Sequence, residues 1–328
     1  MRNERYTIHD YVSYEERSMH TMPFINKVIE SGKAAEMILV TEAIQEKNLA
    51  KIAENIARDR ERKIVLIAGP SSSGKTSTSK RLCIQLMACR RHPVALSMDN
   101  WYVNREDTPI GEDGKPDFET IYSVDLPLFN ENLADLVAGK EVSLPTYNFV
   151  SGKREYNGEK LSLTEDMILV IEGLHALNPL VTEKIEARNK FKIYAAPMSP
   201  ISLDGKKWIP TTVNRLFRRM SRDYQTRGRS PQQTIAEWNS VKRGEEKWIL
   251  PFKDDADALF DTSMLYELAA LRKTAEPILL AVPHNAPDYH IVERLLDFLR
   301  FFTPIDISQI PNTSLLREFV GGSIFEPK

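Results

Sequence analysis

Residues 69–76 read GPSSSGKT and fit G-x-x-x-x-G-K-[ST], the pattern of a phosphate-cradling P-loop. Gly69 and Gly74 permit a tight backbone path around Ser71, Ser72 and Ser73, turning N–H groups inward at a helix N-terminus, where anions are favoured. Lys75 is long enough to reach the β- and γ-phosphates, Thr76 offers a hydroxyl to Mg²⁺, and Ser77 continues the cradle. A glycine-serine turn with no ligand is the bland alternative, and the full match between a strand and a helix argues against it. The pattern implies binding of ATP with Mg²⁺.

Three further sets of residues could act beside it. Asp99, in SMDNWY, follows an apolar run and is the candidate catalytic base, since phosphoryl transfer to an alcohol needs a carboxylate to orient the hydroxyl and take its proton. A helix N-cap or a partner of Mg²⁺-bound water is the competing role for Asp99. Glu172 ends ILVIE and reads as an acidic residue at a strand terminus that could hold Mg²⁺. The segment NRLFRRMSRDYQTRGR, 214–229, spaces Arg215, Arg218, Arg219 and Arg222 helically, then places Arg227 and Arg229 around a glycine. Such a segment could close over ATP, neutralise the transferring phosphoryl group and exclude water. A solvated basic helix face is its alternative. Tyr147, Phe149, Tyr156, Trp101 and Tyr102 could line a small-molecule pocket or simply pack in a core, and His175 is equally open.

These residues need elements to position them. Lys63 to Ala68 (KIVLIA) predicts a buried strand before the P-loop, and Thr76 to Cys89 a helix after it. Apolar runs at 94–98, 168–172, 191–195 and 257–261, separated by helical patterns, predict an α/β fold with a mostly parallel, doubly wound sheet. Ligands then bind beyond the carboxyl ends of the strands, where Gly69, Asp99, Glu172 and Ala196 fall. Residues 1–60 form a helical N-terminal extension, its apolar face read at Met37, Val40, Ile44, Leu49, Ile52 and Ile56. Residues 61–264 form the P-loop kinase domain, with a lid or hairpin insertion on the substrate side at 100–165 and the arginine lid at 214–229. Residues 265–328 form a C-terminal helical extension that packs on it, including Ile291 to Phe302.

The 328 residues carry 44 Lys and Arg against 46 Asp and Glu, so no overall positive field recruits nucleic acid or an anionic membrane. No run of about 18 apolar residues spans a bilayer and no apolar signal core opens the chain, so a cytoplasmic location is expected. Cys83 and Cys89 sit six apart on nearly opposite faces of the expected helix and read as buried thiols in a reducing compartment. No His/Cys cluster has metal-ligand spacing.

Taken in order and spacing, GPSSSGKT, SMDNWY, LPTYNF, VIEG and RDYQTRGR resemble the uridine kinase branch of the phosphoribulokinase/uridine kinase family, over about residues 63–263. The preface, KRGEEK at 242–247 and the LLREFVGGS tail look like a longer bacterial subgroup of it. The resemblance implies a P-loop kinase that moves the ATP γ-phosphate to a primary hydroxyl, usually the 5′-hydroxyl of uridine or cytidine. It makes Asp99 the base, Lys75 and Thr76 the phosphate and Mg²⁺ contacts, Glu172 the second acid, and Arg222, Arg227 and Arg229 the lid arginines. Tyr147 matches a nucleoside-contacting tyrosine, and Glu119 in PDFET aligns with an aspartate that holds ribose hydroxyls. Members of the family often form homo-oligomers.

Gly152, after YNFVS, stands where uridine kinases carry a histidine that reads the pyrimidine edge, so another acceptor is open, such as a sugar phosphate or another small alcohol. A nucleotide-binding regulatory or RNA-associated module without turnover is the non-enzyme alternative. A switch GTPase is disfavoured, because Asn189-Lys190 continues as Phe-Lys with no guanine-reading N-K-x-D.

Overall fold

The computed structural model describes residues 20–111 and 114–325. The start of the N-terminal extension (1–19), positions 112–113 of the insertion and 326–328 of the tail lie outside the described residues. The helices are α1 (Met22–Glu30), α2 (Ala34–Arg58), α3 (Lys75–Ala88), α4 (Leu126–Val137), α5 (Thr211–Thr226), α6 (Pro231–Trp248), α7 (Glu267–Leu280), α8 (Tyr289–Arg300) and the single turn α9 (Arg317–Val320). The strands are β1 (Ile64–Ala68), β2 (His92–Ser97), β3 (Val142–Ser143), β4 (Thr146–Asn148), β5 (Lys153–Glu155), β6 (Lys160–Leu161), β7 (Met167–Glu172), β8 (Lys190–Ala196) and β9 (Ala258–Asp261).

Five of these strands form one parallel sheet in the order β2-β7-β1-β8-β9. Its second and third strands in sequence lie on one side of the first, its fourth and fifth on the other. Such a reversal opens a crevice beyond the carboxyl ends, at β1. Register brings those ends level: Ser97 and Ile67 both pair with Glu172, Ala68 with Tyr194, and Ala196 with Asp261. Strand β2 starts two residues earlier than its apolar run, and Pro93 is tolerated there because β2 is an edge strand.

Every residue of β1 is buried, and alternate side chains enter opposite layers. Val65 and Ile67 join Leu49 and Ile56 of α2, Leu82 and Leu86 of α3, and Leu268 and Leu271 of α7. Ile64, Leu66 and Ala68 join Phe129 and Leu133 of α4 on the other face. The insertion therefore contributes a helix of its own, which the turn-rich sequence around it concealed. Asp125 caps it, accepting from Leu128 N–H at 3.1 Å, and Pro127 sits in its first turn. The expected hairpin is present, with β4 and β5 antiparallel and Tyr147 opposite Arg154.

The face read for α2 needs correction. Val40 and Ile44 are exposed, and the buried stripe instead includes Ile38, Glu42, Gln45, Leu49, Ala53 and Ile56. Two polar residues lie within that stripe because each finds a partner. Glu42 accepts from the Tyr266 hydroxyl at 2.6 Å, and Gln45 donates to the carbonyls of Asp261 and Ser263 at 2.8 and 3.0 Å. Cys83 is buried in α3, its thiol pushed up to about 12 by desolvation, whereas Cys89 is only partly covered. Among the described residues no helix is long and apolar enough to cross a membrane.

Candidate active site

Strand β1 delivers the chain to the P-loop at the sheet's carboxyl edge. Gly74 turns it into α3 with φ +89°, and a Cβ there would lie 2.7 Å from Leu315 Cδ2, so both conformation and space require glycine. The loop is tied from behind. Thr262 Oγ1 and Arg218 Nη1 donate to the Ser73 carbonyl at 2.6 and 3.3 Å, while Arg215 and Arg219 donate to the Ser71 carbonyl and hydroxyl at 3.2 and 2.8 Å. The buried hydroxyls of Ser72 and Ser73 have no hydrogen-bond partner. Orphaned donors in a loop at a helix N-terminus fit an anionic ligand of several oxygens, as the phosphates of ATP are.

Glu172 and Asp99 meet Lys75 in front of this loop. Ser97 and Thr76 hydroxyls both donate to Glu172 Oε1, at 2.9 and 3.2 Å. Asp99 lies in the single turn Met98–Trp101 that follows β2, with its N–H directed at Ser97 Oγ, 3.4 Å away. Burial, then the charge of Asp99, raise the Glu172 carboxyl to about 7 against the opposing pull of Lys75. Desolvation outweighs the surrounding carboxylates in lowering the Lys75 ammonium, which donates to the Pro70 carbonyl at 3.1 Å. Among the described residues no group of three His, Cys, Asp or Glu gathers as a metal cage. Mg²⁺ needs none, since it takes one or two carboxylates, water and substrate phosphates, and Thr76 with Glu172 fits that donor set.

An aromatic wall leads away from Asp99. The Tyr102 phenol lies against the Asp99 carboxylate, and burial with that charge pushes it well above its ordinary range. Tyr102, Tyr147 and Phe149 then follow edge to face, with centroids 5.6 and 5.1 Å apart. Of the other candidates, Trp101 is turned into the core against Phe129 and Tyr156 is exposed. Glu119 is half-buried nearby, its carboxyl raised chiefly by desolvation, with Arg219 Nη1 at 3.9 Å. His175 is a buried neutral ring, lowered to about 4 by desolvation; its nitrogens make no hydrogen bond of adequate geometry, although the backbone of Thr120 and Trp248 is near.

The arginine segment divides in two. Arg215 and Arg218 are buried and pair with Glu245 and Glu267, each at 2.6 Å, so they brace the P-loop from behind. Arg219, Arg222 and Arg227 surround Asp223, at 3.3, 2.8 and 3.6 Å. Arg227 also lies over the Phe149 ring, 5.9 Å from its centroid, which brings the segment against the β4–β5 hairpin. Arg229 joins this cluster at its edge, where its side chain pairs with Glu237, which also lies 3.5 Å from Arg219, and its N–H donates to the Asp223 carbonyl at 3.1 Å.

A model of the phosphoribulokinase/uridine kinase family matches residues 64–268. The chain belongs to that family. It is a P-loop kinase, and the phosphate-binding loop, acidic pair and arginine cluster lie inside the matched region. Uridine kinase of Staphylococcus aureus (strain JH9) is 29% identical over 199 residues, which cover 60% of this chain and 86% of the relative. Among solved structures, a possible uridine kinase from Bacillus stearothermophilus is 20% identical with a TM-score of 0.40, covering 61% of this chain and 89% of that one. D-glycerate 3-kinase from Cryptococcus neoformans is 15% identical with a TM-score of 0.34, covering 79% and 86%.

Several residues around this kinase site escaped the sequence reading. Asp223, the shared counter-ion, had a signal in its position among the arginines, four residues from both Arg219 and Arg227. Gly244 had one too, as a glycine inside a helix. A Cβ there would lie 2.4 Å from Glu119 Cβ. Thr262 and Glu267 arrive from distant parts of the chain and left no local mark, while Leu315 and Glu318 lie in the LLREFVGGS tail, which carried a resemblance but no role.

Proposed function

We propose that this kinase transfers the γ-phosphoryl group of Mg·ATP to the 5′-hydroxyl of a nucleoside, uridine or cytidine. The observation that carries the reading is the convergence of Lys75, Asp99 and Glu172 before a loop with unsatisfied hydroxyl donors, at the foot of an aromatic wall. When bound, ATP supplies the phosphoryl group, with Mg²⁺ countering its charge. Asp99 accepts the proton of the attacking hydroxyl as that oxygen bonds to the γ-phosphorus and the bond from this phosphorus to the β–γ bridging oxygen breaks, with ADP as the leaving group. Lys75 and Arg222 would counter the charge that develops on the transferring group, and Thr76 and Glu172 would hold Mg²⁺. Glu119 accepts from the acceptor's remaining hydroxyls, while Tyr147 and Tyr102 offer ring surface to its base and sugar.

A sugar phosphate or other small alcohol is the second reading, favoured by Gly152. This residue has φ +70°, and the Arg105 side chain fills the space a Cβ would take, with Arg105 Cβ and Cζ 2.8 and 2.9 Å from that position. Where the uridine kinase pattern has a histidine, this chain therefore presents a guanidinium beside Tyr147. ADP release from Mg·ATP, with uridine, cytidine, adenosine, guanosine, ribose and ribulose 5-phosphate as acceptors, tests both. Stimulation by a pyrimidine nucleoside supports the first reading, and stimulation by ribulose 5-phosphate alone replaces it with the second. Asp99→Asn is expected to lower turnover by ~10²–10⁴-fold while ATP still binds, and near-normal turnover would refute Asp99 as the base.

A further inference from the structure

The segment after α8 reaches back across the sheet to the start of α3. Ser77 is the third residue of that helix, so its N–H is one of the donors with no intrahelical partner. Glu318 Oε2 accepts from it at 3.4 Å and from the Ser77 hydroxyl at 2.8 Å. The other oxygen, Oε1, is 4.0 Å from Arg222 Nη1. A carboxylate thus sits on donors that the P-loop otherwise turns toward phosphate, between the loop and a lid arginine.

We propose that Glu318 is a nucleotide-affinity determinant: an internal anion that competes with the phosphates for Ser77 and must turn aside when nucleotide binds. The inference rests on the reading of this loop as the ATP site. The backbone bearing Glu318 is fixed. The Arg317 guanidinium donates to the carbonyls of Ile307, Pro311 and Gly321 at 2.9, 3.4 and 3.1 Å, and also to that of Ile310. Phe319 is buried under Arg218, 5.2 Å from its guanidinium carbon, and Leu315 packs on Gly74. The Glu318 side chain, 18% exposed, is the part free to move, by rotation about its own bonds. A carboxylate left in place would stand within a few ångströms of a phosphate, a like-charge contact that weakens binding unless relieved.

Equilibrium binding of ATP and of inorganic tripolyphosphate, each with Mg²⁺ and no acceptor, tests this on wild type and Glu318→Gln. The glutamine keeps the shape and removes the charge, so both ligands are expected to bind about five- to tenfold more tightly. Glu318→Asp, which retracts the carboxylate from Ser77, is expected to shift both dissociation constants the same way by less, and it serves if the glutamine variant does not fold. Unchanged constants overturn the proposal. So does weaker ATP binding with tripolyphosphate unchanged, which would make Glu318 a ribose contact instead. Failure of wild type to bind ATP would overturn the nucleotide-site reading and this inference with it, weaker binding of both ligands by the variant alone would overturn only the inference, and an inactive acceptor panel touches neither measurement.

Discussion

Gly244→Ala isolates the acceptor side of the site from the nucleotide side. The glycine lies inside α6, where alanine favours the helix by ~1 kcal/mol. Opposing this, the new Cβ would lie 2.4 Å from Glu119 Cβ and 3.1 Å from its Cγ, against the 3.5–4.0 Å at which carbon atoms pack. About 1 Å of movement must be found, and overpacking of this kind costs ~1–3 kcal/mol. The net change in stability is then ~0–2 kcal/mol, a few degrees at most in melting temperature for a chain of this size. Function should suffer more, because both contacts are with the stem of Glu119 and its carboxylate moves with them. A displacement of ~1 Å in a positioning group can cost as much as 10²-fold. Steady-state kinetics with the acceptor identified by the panel should show kcat/KM for the acceptor falling ~10–100-fold while the dissociation constant for ATP stays within twofold. Unchanged acceptor kinetics in a folded variant would refute Glu119 as an acceptor contact placed by Gly244.

Two further expectations follow from buried charge. Glu267→Ala leaves Arg218 without its carboxylate where both partners are fully buried, so denaturant unfolding should show a loss of ~3–5 kcal/mol; a loss below ~1 kcal/mol would mean the pair is hydrated in solution. Glu172 has a folded pKa raised to about 7 above an unfolded value of ~4.3, so the folded protein holds the extra proton between them. Its stabilising contribution is full below the unfolded value and lost as pH rises through about 7, by up to ~4 kcal/mol. Without nucleotide, urea midpoints of wild type should therefore fall across this window relative to Glu172→Gln, and parallel profiles would exclude the shift.

What the sequence disclosed was local. The P-loop, the strand preceding it and the acidic residues at strand ends each carry their signal within a few residues, because backbone conformation and alternation are short-range properties. Helix α4 was hidden for the same reason, since Pro and Gly around it signalled turns that are real and drew attention from the capped helix they enclose. Val40 and Ile44 misled the reading of α2 because hydrophobicity alone cannot show that Glu42 and Gln45 will find buried partners at Tyr266, Asp261 and Ser263. The division of the arginines was equally out of reach. Their spacing placed Arg215, Arg218, Arg219 and Arg222 on one helix, but which of them are buried depends on Glu245 and Glu267, which lie 30 and 49 residues onward.

The wall that Leu315 and Glu318 build against the P-loop has a consequence for how the enzyme comes into being. Ser77 and Glu318 are 241 residues apart in sequence, and the Arg218–Phe319 contact likewise joins α5 to the segment around α9. A nascent chain emerges from its N-terminus and folds in units as it does so. All five sheet strands and the P-loop helix are available before the segment around α9 has been made. A ribosome-bound intermediate thus presents the phosphate loop without the side chains that later border it, and a product truncated after the matched family region would keep Asp99 and Glu172 while lacking Leu315 and Glu318 beside the loop.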